Sequence, residues 1–345
     1  MLKPDAKLAI YMEGALGQIN GKMGDGVLRY SPNAVVAVID SAKKGGDIQT
    51  YVNCDRRCPI VGSLEEAKAL GADVLILGIA PSGGIIPEKW YPEIDRAVDL
   101  GFSLVNGLHT HLAHRYSHIK APQWVWDIRH EPASVTIATG KARHLNNKRV
   151  LFVGSDMAVG KMTAALELYR AALQADINAA FIATGQIGIT ISGQGIALDA
   201  IRLDYACGAV EQAVMDAQSA DMIIIEGQGS LAHPGSTANL PLLRGSCPTH
   251  LVFCHRAGQT QLATVADVTI PPILDLIKLY EDLACACGTF IRPQTIGICL
   301  NTGHLDAKAA EIAVRELEEQ TGLVTVDVVR QGAGRLLSVF NSVVI

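Results

Sequence analysis

The sequence predicts an α/β protein of two domains, each built on a mainly parallel sheet. Three observations predict it. Short apolar, β-rich runs alternate with segments of helical period along most of the chain, the pattern of parallel strands joined by crossover helices. The chain has 345 residues, 49% of them hydrophobic, enough length and apolar material for two packed cores. The alternation lapses once, between His130 and Lys148, and then restarts.

In the first third, "KLAIYME", "AVVAVID", "ADVLILGIA" and "FSLVNG" read as strands. Between the second and third of these lies "GSLEEAKALG", a short helix with Ser63 as N-cap, Glu66 three residues on and Gly71 closing it. The segment "HEPASVTIATGKARHLNNK" collects charge and small polar residues, and the domain boundary is placed there, giving domains at 1–140 and 148–345. The second half supplies the strands "RVLFVGS", "NAAFIATG", "DMIIIEGQG", "HLVFCH", "TIGICLN" and "LVTVDVV". Its clearest helices are "GKMTAALELYRAALQ" and "LDAKAAEIAVRELEEQTG", and no short-period repeat suggests a solenoid.

Composition narrows the function. A net charge of −5 offers no excess of positive charge to neutralise a nucleic-acid backbone, so a nucleic-acid partner is not expected. No run reaches the roughly 18 apolar residues of a membrane span, and the N-terminus carries no secretory signal. A cytoplasmic protein with no membrane partner is expected. The 8 cysteines are scattered and read as reduced thiols. Cys54 and Cys58, and Cys285 and Cys287, do not have the spacing of structural zinc knuckles, so no metal site is expected.

The chemistry concentrates in "RVLFVGSDMAVGKMTAALEL". A buried strand ends at Gly154, a flexible loop follows, and Gly160 and Lys161 open a helix. Glycines let backbone N–H groups point inward, the helix N-terminus adds partial positive charge, and the lysine ammonium reaches the same phosphate oxygens. Gly154, Ser155, Asp156, Val159, Gly160, Lys161, Met162 and Thr163 are therefore the expected cofactor-binding residues. Met162 stands where nucleotide hydrolases place the hydroxyl that holds magnesium; Thr163 follows it, rotated about 100° around the helix. That substitution speaks against magnesium-dependent ATP chemistry while leaving the anion-binding backbone intact. In "DMIIIEGQGSLAHPG" an apolar strand ends at Glu226, an acid at the phosphate edge of the sheet. Glu226 either coordinates a metal, orients a lysine or substrate, or caps the turn that follows.

"GSDMAVGK" with "IIIEGQGS" resembles the dethiobiotin synthetase group of P-loop proteins. The N-terminal strands with "PIVGSLEEAKALGADVLILGIAPSGG" are similar to the Rossmann-type domains that hold coenzyme A in acyl-CoA ligases. A Rossmann-like half followed by a P-loop NTPase-like half containing "GIALDAIRLDYACGAVEQAV" resembles, over nearly the whole chain, the D-glutamate N-acetyltransferase family of D-amino-acid catabolism. The resemblance implies acetyl-CoA as donor and a D-amino acid, D-glutamate, as acceptor. The alternatives are a ligase of dethiobiotin-synthetase type using ATP with Mg, and a nucleotide-binding protein without turnover. A homo-oligomer is the ordinary expectation for such an enzyme.

Acetyl transfer to an amine needs the coenzyme held, the ammonium deprotonated and the two reactants positioned. The catalytic candidates are Glu226, Asp204, His109 and Asp156, with Asp199 also in reach of the same segment as Asp204. His109 follows a predicted strand end, where ligand loops gather, or is a hydrogen-bonded loop histidine. For the substrate the candidates are Ser82, Gly83, His111, Arg202 and His233, with Arg256 as a second arginine for a carboxylate. Either arginine equally suits a surface ion pair. Asp40 closes the second strand, where it accepts a ribose hydroxyl or starts a turn. Cys207 is read as a packing residue.

Overall fold

A computed structural model describes residues 2–342. Its described residues form two compact units, 2–131 with 186–200, and 132–185 with 201–342. In the first unit the strands are β1 (Lys7–Tyr11), β2 (Ala34–Ile39), β3 (Ile60–Val61), β4 (Val74–Leu77), β5 (Ser103–Asn106) and β6 (Val125–Asp127). They pair in parallel in the order β3-β2-β1-β4-β5-β6. The second unit has β7 (Lys148–Gly154), β8 (Ala179–Ile182), β9 (Met222–Ile225), β10 (His250–Arg256), β11 (Gln294–Asn301) and β12 (Thr325–Val326). Their order is β12-β11-β10-β7-β9-β8, again parallel throughout. The α/β class with two parallel sheets is thus as the alternation predicts.

Parallel strands covered on both faces are apolar at consecutive positions. β4, β5 and β9 are buried at every residue. The first helices along the chain are α1 (Lys22–Tyr30), α2 (Leu64–Ala69) and α3 (Tyr91–Asp99). Those that follow are α4 (Lys161–Gln174), α5 (Gln186–Ser192), α6 (Leu203–Asp216), α7 (Asn239–Ser246), α8 (Ile273–Cys285), α9 (Ala307–Thr321), α10 (Val328–Gln331) and α11 (Gly334–Ser342). The α2 start is as the capping pattern predicts: Ser63 Oγ accepts the Glu66 N–H at 3.3 Å, and Gly71 turns the chain with φ +84°. Leu64 and Ala67 of α2 and Ile94 and Ala97 of α3 share one core cluster with Ala9, Leu75 and Leu104 of the sheet.

Two features depart from the expected organisation. Residues 186–200, left by the alternation in the C-terminal half, pack with the first unit, where α5 lies against α1. The polar stretch after His130 belongs from Pro132 onward to the second unit. Buried Glu211 of α6 fixes it there, accepting the N–H groups of Thr139 at 2.9 Å and Lys141 at 2.6 Å. Among the described residues no helix is long and apolar enough to cross a membrane.

Each sheet has a point where neighbouring connections run off in opposite directions, β1 between β2 and β4, and β7 between β9 and β10. Ligands of open parallel sheets bind beyond the carboxyl ends of strands at such points.

Candidate functional site

In the second unit the loop at 155–160 leaves β7 at Gly154, where an added Cβ would lie 2.7 Å from the Cys254 carbonyl oxygen and 3.1 Å from Val159 Cγ2. Gly160 has φ +110°, a backbone that L side chains rarely adopt, and Lys161 is the first residue of α4. Lys161 is buried, and its Nζ donates to the Asp156 carbonyl oxygen at 2.7 Å. Burial pulls its pKa down to about 8, against the opposing pull of Cys254, Asp156 and Glu226. Met162 and Thr163 are half-buried in the first turn of α4.

The rest of the loop is held from the neighbouring strands. Ser155 N–H donates to the Cys254 carbonyl at 3.0 Å, and its Oγ shares a 2.8 Å hydrogen bond with His255 Nδ1. Burial pushes His255 down to about 4, so its ring is neutral. Ser230 Oγ donates to the Ser155 carbonyl at 2.9 Å. The Tyr280 hydroxyl accepts the Leu231 N–H at 2.9 Å and lies 3.0 Å from the Gly154 carbonyl oxygen.

Glu226 follows β9 and is buried beside this loop. Its Oε2 accepts the N–H groups of Thr184 at 2.9 Å and Gly185 at 3.2 Å. Burial pushes its pKa up to about 7, although those two hydrogen bonds and Lys161 pull the other way. The next residue must be glycine, since a Cβ on Gly227 would sit 1.6 Å from the Phe152 carbonyl oxygen and 3.0 Å from Lys161 Cδ. The arrangement offers a backbone turn, one buried ammonium and one buried carboxyl whose proton is exchangeable near neutrality.

Two expectations for this region are corrected. Asp156 was expected as a catalytic acid or base, but Oδ1 accepts the Met157 N–H at 2.6 Å while Oδ2 accepts from Gln259 Nε2 at 2.6 Å and Ala263 N at 2.8 Å. Its carboxylate is committed to fastening the loop. His233 was expected to meet substrate, yet its Nδ1 accepts the Gly235 N–H at 3.1 Å, so Nε2 carries the proton and donates to Thr264 Oγ1 at 2.7 Å. Arg202 and Asp204 stand exposed at the start of α6, where Arg202 stacks over the Tyr205 ring at 4.6 Å. Arg256, at the end of β10, is exposed with Nη2 3.5 Å from the Ala158 carbonyl oxygen of the loop. Cys207 is half-buried, and burial pushes its thiol up, away from a reactive thiolate.

In the first unit a second group forms beyond β5 and β6. Buried Asn106 and Asp127 end these strands, with Asn106 Nδ2 donating to Asp127 Oδ1 at 2.7 Å. The same carboxylate accepts the N–H groups of Leu112 at 3.0 Å and Ala113 at 2.9 Å, which fixes the loop carrying His109 and His111. His109 N–H donates to the Gly84 carbonyl at 2.7 Å, and a Cβ on Gly84 would be 2.5 Å from His109 Cδ2. Gly83 beside it is exposed with φ +80°; the side chain of Ser82 lies outside the described residues.

Arg129, just past β6, draws this group together. Its Nη1 donates to Asp199 Oδ2 at 2.8 Å and to His109 Nε2. His109 Nε2 is 3.9 Å from the same Asp199 oxygen, and His111 Nε2 is 2.7 Å from the Arg129 carbonyl oxygen. Burial first, then the Arg129 charge, holds the His109 pKa below its usual value, so the ring is a neutral acceptor at Nε2. Sequence reasoning passed Arg129 over because β6 is three residues long and shows no alternation. The available signal was an arginine two residues after "VWD". Asp40, by contrast, is fully buried at the end of β2, with Oδ2 tied to Lys43 Nζ at 3.0 Å and Oδ1 without a hydrogen-bond partner among the described residues. Among the described residues no group of three His, Cys, Asp or Glu side chains is placed to hold a metal ion.

Comparison with known proteins bears on both units. The Rossmann-like domain of unknown function DUF1611_N matches residues 41–131, and the P-loop domain of unknown function DUF1611_C matches residues 136–337. A D-glutamate N-acetyltransferase from a Pseudoalteromonas species is 37% identical over 334 residues, covering 95% of this chain and 97% of that protein. Another from Tritonibacter scottomollicae is 35% identical over 286 residues, 81% of this chain and 85% of that protein. A crystal structure of a DUF1611 family protein from Anabaena variabilis superposes with a TM-score of 0.95 at 46% identity, covering 98% of this chain and all of that one. With both domain types matched in order and relatives alike over most of its length, the chain belongs to the DUF1611 family.

Proposed function

We propose that this acyltransferase carries the acetyl group of acetyl-CoA to the amino group of D-glutamate, with the loop at 154–161 gripping the diphosphate of the coenzyme. The observation that carries the reading is the buried Lys161 and Glu226 pair beside a phosphate-type loop whose next residue, Met162, has no oxygen for magnesium. The activity named for relatives alike over 81% and 95% of this chain supports it.

The coenzyme supplies an activated thioester, so the protein needs no covalent intermediate. Lys161 and the loop amides meet the diphosphate charge, and docking there draws Nζ off the Asp156 carbonyl it holds at 2.7 Å. Glu226, with its pKa up at about 7, takes a proton from the substrate ammonium far better than an ordinary carboxylate. The free amine then forms the C–N bond as the C–S bond breaks; the nitrogen gives its second proton to solvent water as the amide forms, and the proton held by Glu226 passes to the departing thiolate.

The test is to incubate the protein with acetyl-CoA and a panel of D- and L-amino acids while following free thiol, and to repeat with ATP and magnesium while following phosphate. Thiol release with D-glutamate and no nucleotide is expected. Phosphate release that requires magnesium and a carboxylate would replace the proposal with an ATP-dependent ligase. Lys161→Ala should raise the KM for acetyl-CoA about 10- to 100-fold, the worth of a hydrogen bond to a charged group. Met162→Thr should add no magnesium-dependent turnover.

A further inference from the structure

We infer that Arg256 receives the 3′-phosphate of the coenzyme and thereby selects the phosphorylated carrier over its 3′-dephospho form. The inference rests on the proposed coenzyme at the 154–161 loop and adds a second anion position to that same site, all of it within the second unit.

β7 lies between β9 and β10, so the loop that leaves β7 has one of these neighbours on each flank. Glu226 follows β9 on the first flank. On the second, β10 ends at Arg256 and β11 at Asn301, which are partners in the parallel register. Both residues reach the loop. Arg256 Nη2 lies 3.5 Å from the Ala158 carbonyl oxygen, and a Cβ on Gly160 would be 3.8 Å from Asn301 Nδ2. Asn301 Oδ1 accepts the Gly303 N–H at 3.1 Å, which fixes the amide with its donor end towards Gly160.

Ala158 and Gly160 both have positive φ, at +55° and +110°. Turns of this kind gather N–H groups around an anion and leave carbonyls on the outside. The Ala158 carbonyl is the one that Arg256 meets, which puts the guanidinium at the rim of the loop. Arg256 is exposed, the 3.5 Å contact is its one described hydrogen bond, and no carboxylate pairs with it among the described residues. Asp156, the acid of the loop, is already committed to Met157, Gln259 and Ala263. A guanidinium with an open fork beside an anion-binding turn is matched to a phosphate, which it meets with two parallel hydrogen bonds. Coenzyme A carries phosphate at two places, the diphosphate bridge and the 3′ position of its ribose. Lys161 is buried and Arg256 exposed, so the diphosphate takes the inner position and the outlying phosphate the rim.

The experiment compares acetyl-CoA with acetyl-3′-dephospho-CoA as donors in steady-state thiol release, for wild type, Arg256→Gln, Arg256→Lys and Lys161→Ala. Calorimetry with adenosine 3′,5′-bisphosphate and with AMP reads the same position without turnover. Wild type should show a KM for acetyl-CoA about 10-fold below that for the dephospho donor, the lower end of the worth of a hydrogen bond to a charged group because the rim is open to water. Arg256→Gln should raise the acetyl-CoA KM by that factor and leave the dephospho KM unmoved. Arg256→Lys should keep part of the preference, having the charge without the fork. Lys161→Ala should raise both KM values together, since both donors carry the diphosphate. The bisphosphate should bind wild type more tightly than AMP does, and Arg256→Gln no better than AMP does.

A wild type that uses both donors alike would overturn the inference. So would an Arg256→Gln that weakens both donors alike, a result that assigns the arginine to the diphosphate instead. Should wild type release no thiol yet bind the bisphosphate in an Arg256-dependent way, the acetyl-transfer reading falls and the phosphate position stands. Normal thiol release with no dependence on the 3′-phosphate leaves the reaction and removes the position.

Discussion

Replacing Glu226 by glutamine should make the protein more stable and less active, and the gain in stability should depend on pH. Glu226 is buried, and its folded pKa of about 7 lies above the 4.5 of an unperturbed glutamate. Between those two values the folded protein binds a proton that the unfolded chain has already lost. Stability from this residue is therefore fully present below pH 4.5 and is lost as pH rises through 7. At about 1.4 kcal/mol for each tenfold change in affinity for the proton, the rise from 4.5 to about 7 costs about 3 kcal/mol once the carboxylate is ionised. Glu226→Gln keeps an oxygen to accept the Thr184 and Gly185 N–H groups and carries no charge, so it escapes that cost. Lys161 loses a neighbouring negative charge at the same time, which makes about 3 kcal/mol the upper figure.

The assay is thermal or urea unfolding of wild type and Glu226→Gln from pH 5 to pH 8.5. The two should be nearly equal at the acid end and diverge in favour of the variant up to neutrality, with the gap level above it. On the proposed mechanism kcat falls about 100- to 10,000-fold, the usual worth of a positioned general base. A gap that does not change with pH, or that favours wild type as pH rises, refutes the reasoning that burial dominates this carboxyl.

Further outcomes follow from the same geometry. Gly227→Ala puts a Cβ 1.6 Å from the Phe152 carbonyl oxygen, so β7 must move; a loss of about 3 kcal/mol or more is expected by urea denaturation, at the upper end of ordinary overpacking. Asp127→Asn replaces an acceptor-only group that takes hydrogen bonds from Asn106, Leu112 and Ala113; stability should fall by about 2 kcal/mol, and hydrogen exchange at 107–113 should quicken. His250 and His255 are both held down to about 4, in each case chiefly by burial, so the unfolded chain binds protons first on acidification. Their contribution is full above pH 6.5 and lost as pH falls towards 4, and His255→Gln should flatten that acid loss in a urea titration.

The loop and its flanks were legible because their signals are local. A strand ending in glycine, a small-residue turn and a Gly-Lys helix start are all within fourteen consecutive residues, and β7 and α4 begin and end as that order demands. What could not be read depends on partners far along the chain. Asp156 looks like a free acid until Gln259 and Ala263, 103 and 107 positions later, are brought to its carboxylate. His233 is spent on Thr264, 31 residues away. The edge strands β3 and β6, two and three residues long, are too short for a period of two to show, and with β6 unread Arg129 had no strand end to mark it. Nor does anything local in "QIGITIS" say that α5 packs against α1 instead of within its own half.

On the proposed mechanism, the Lys161 and Glu226 pair also accounts for a loop without a magnesium hydroxyl in acyl transfer to an amine. A divalent cation beside Glu226 would favour the carboxylate and press its pKa down, leaving a base too weak for an ammonium. With Lys161 as the nearby cation, itself held to about 8, burial prevails and the carboxyl stays near 7. Efficiency in proton transfer peaks when the base is both ionised and strong at the working pH, so in the proposed role this group stands close to its best compromise. The burial in turn is imposed by glycines. Gly227 lets the turn after β9 lie against β7, and at Gly185 a Cβ would meet Gln228 Nε2 at 2.2 Å and Glu226 Oε1 at 3.3 Å. The "EGQG" turn and the glycine after Thr184 therefore set the acidity of Glu226 through packing: any side chain there that lets water reach the carboxyl returns it towards 4.5.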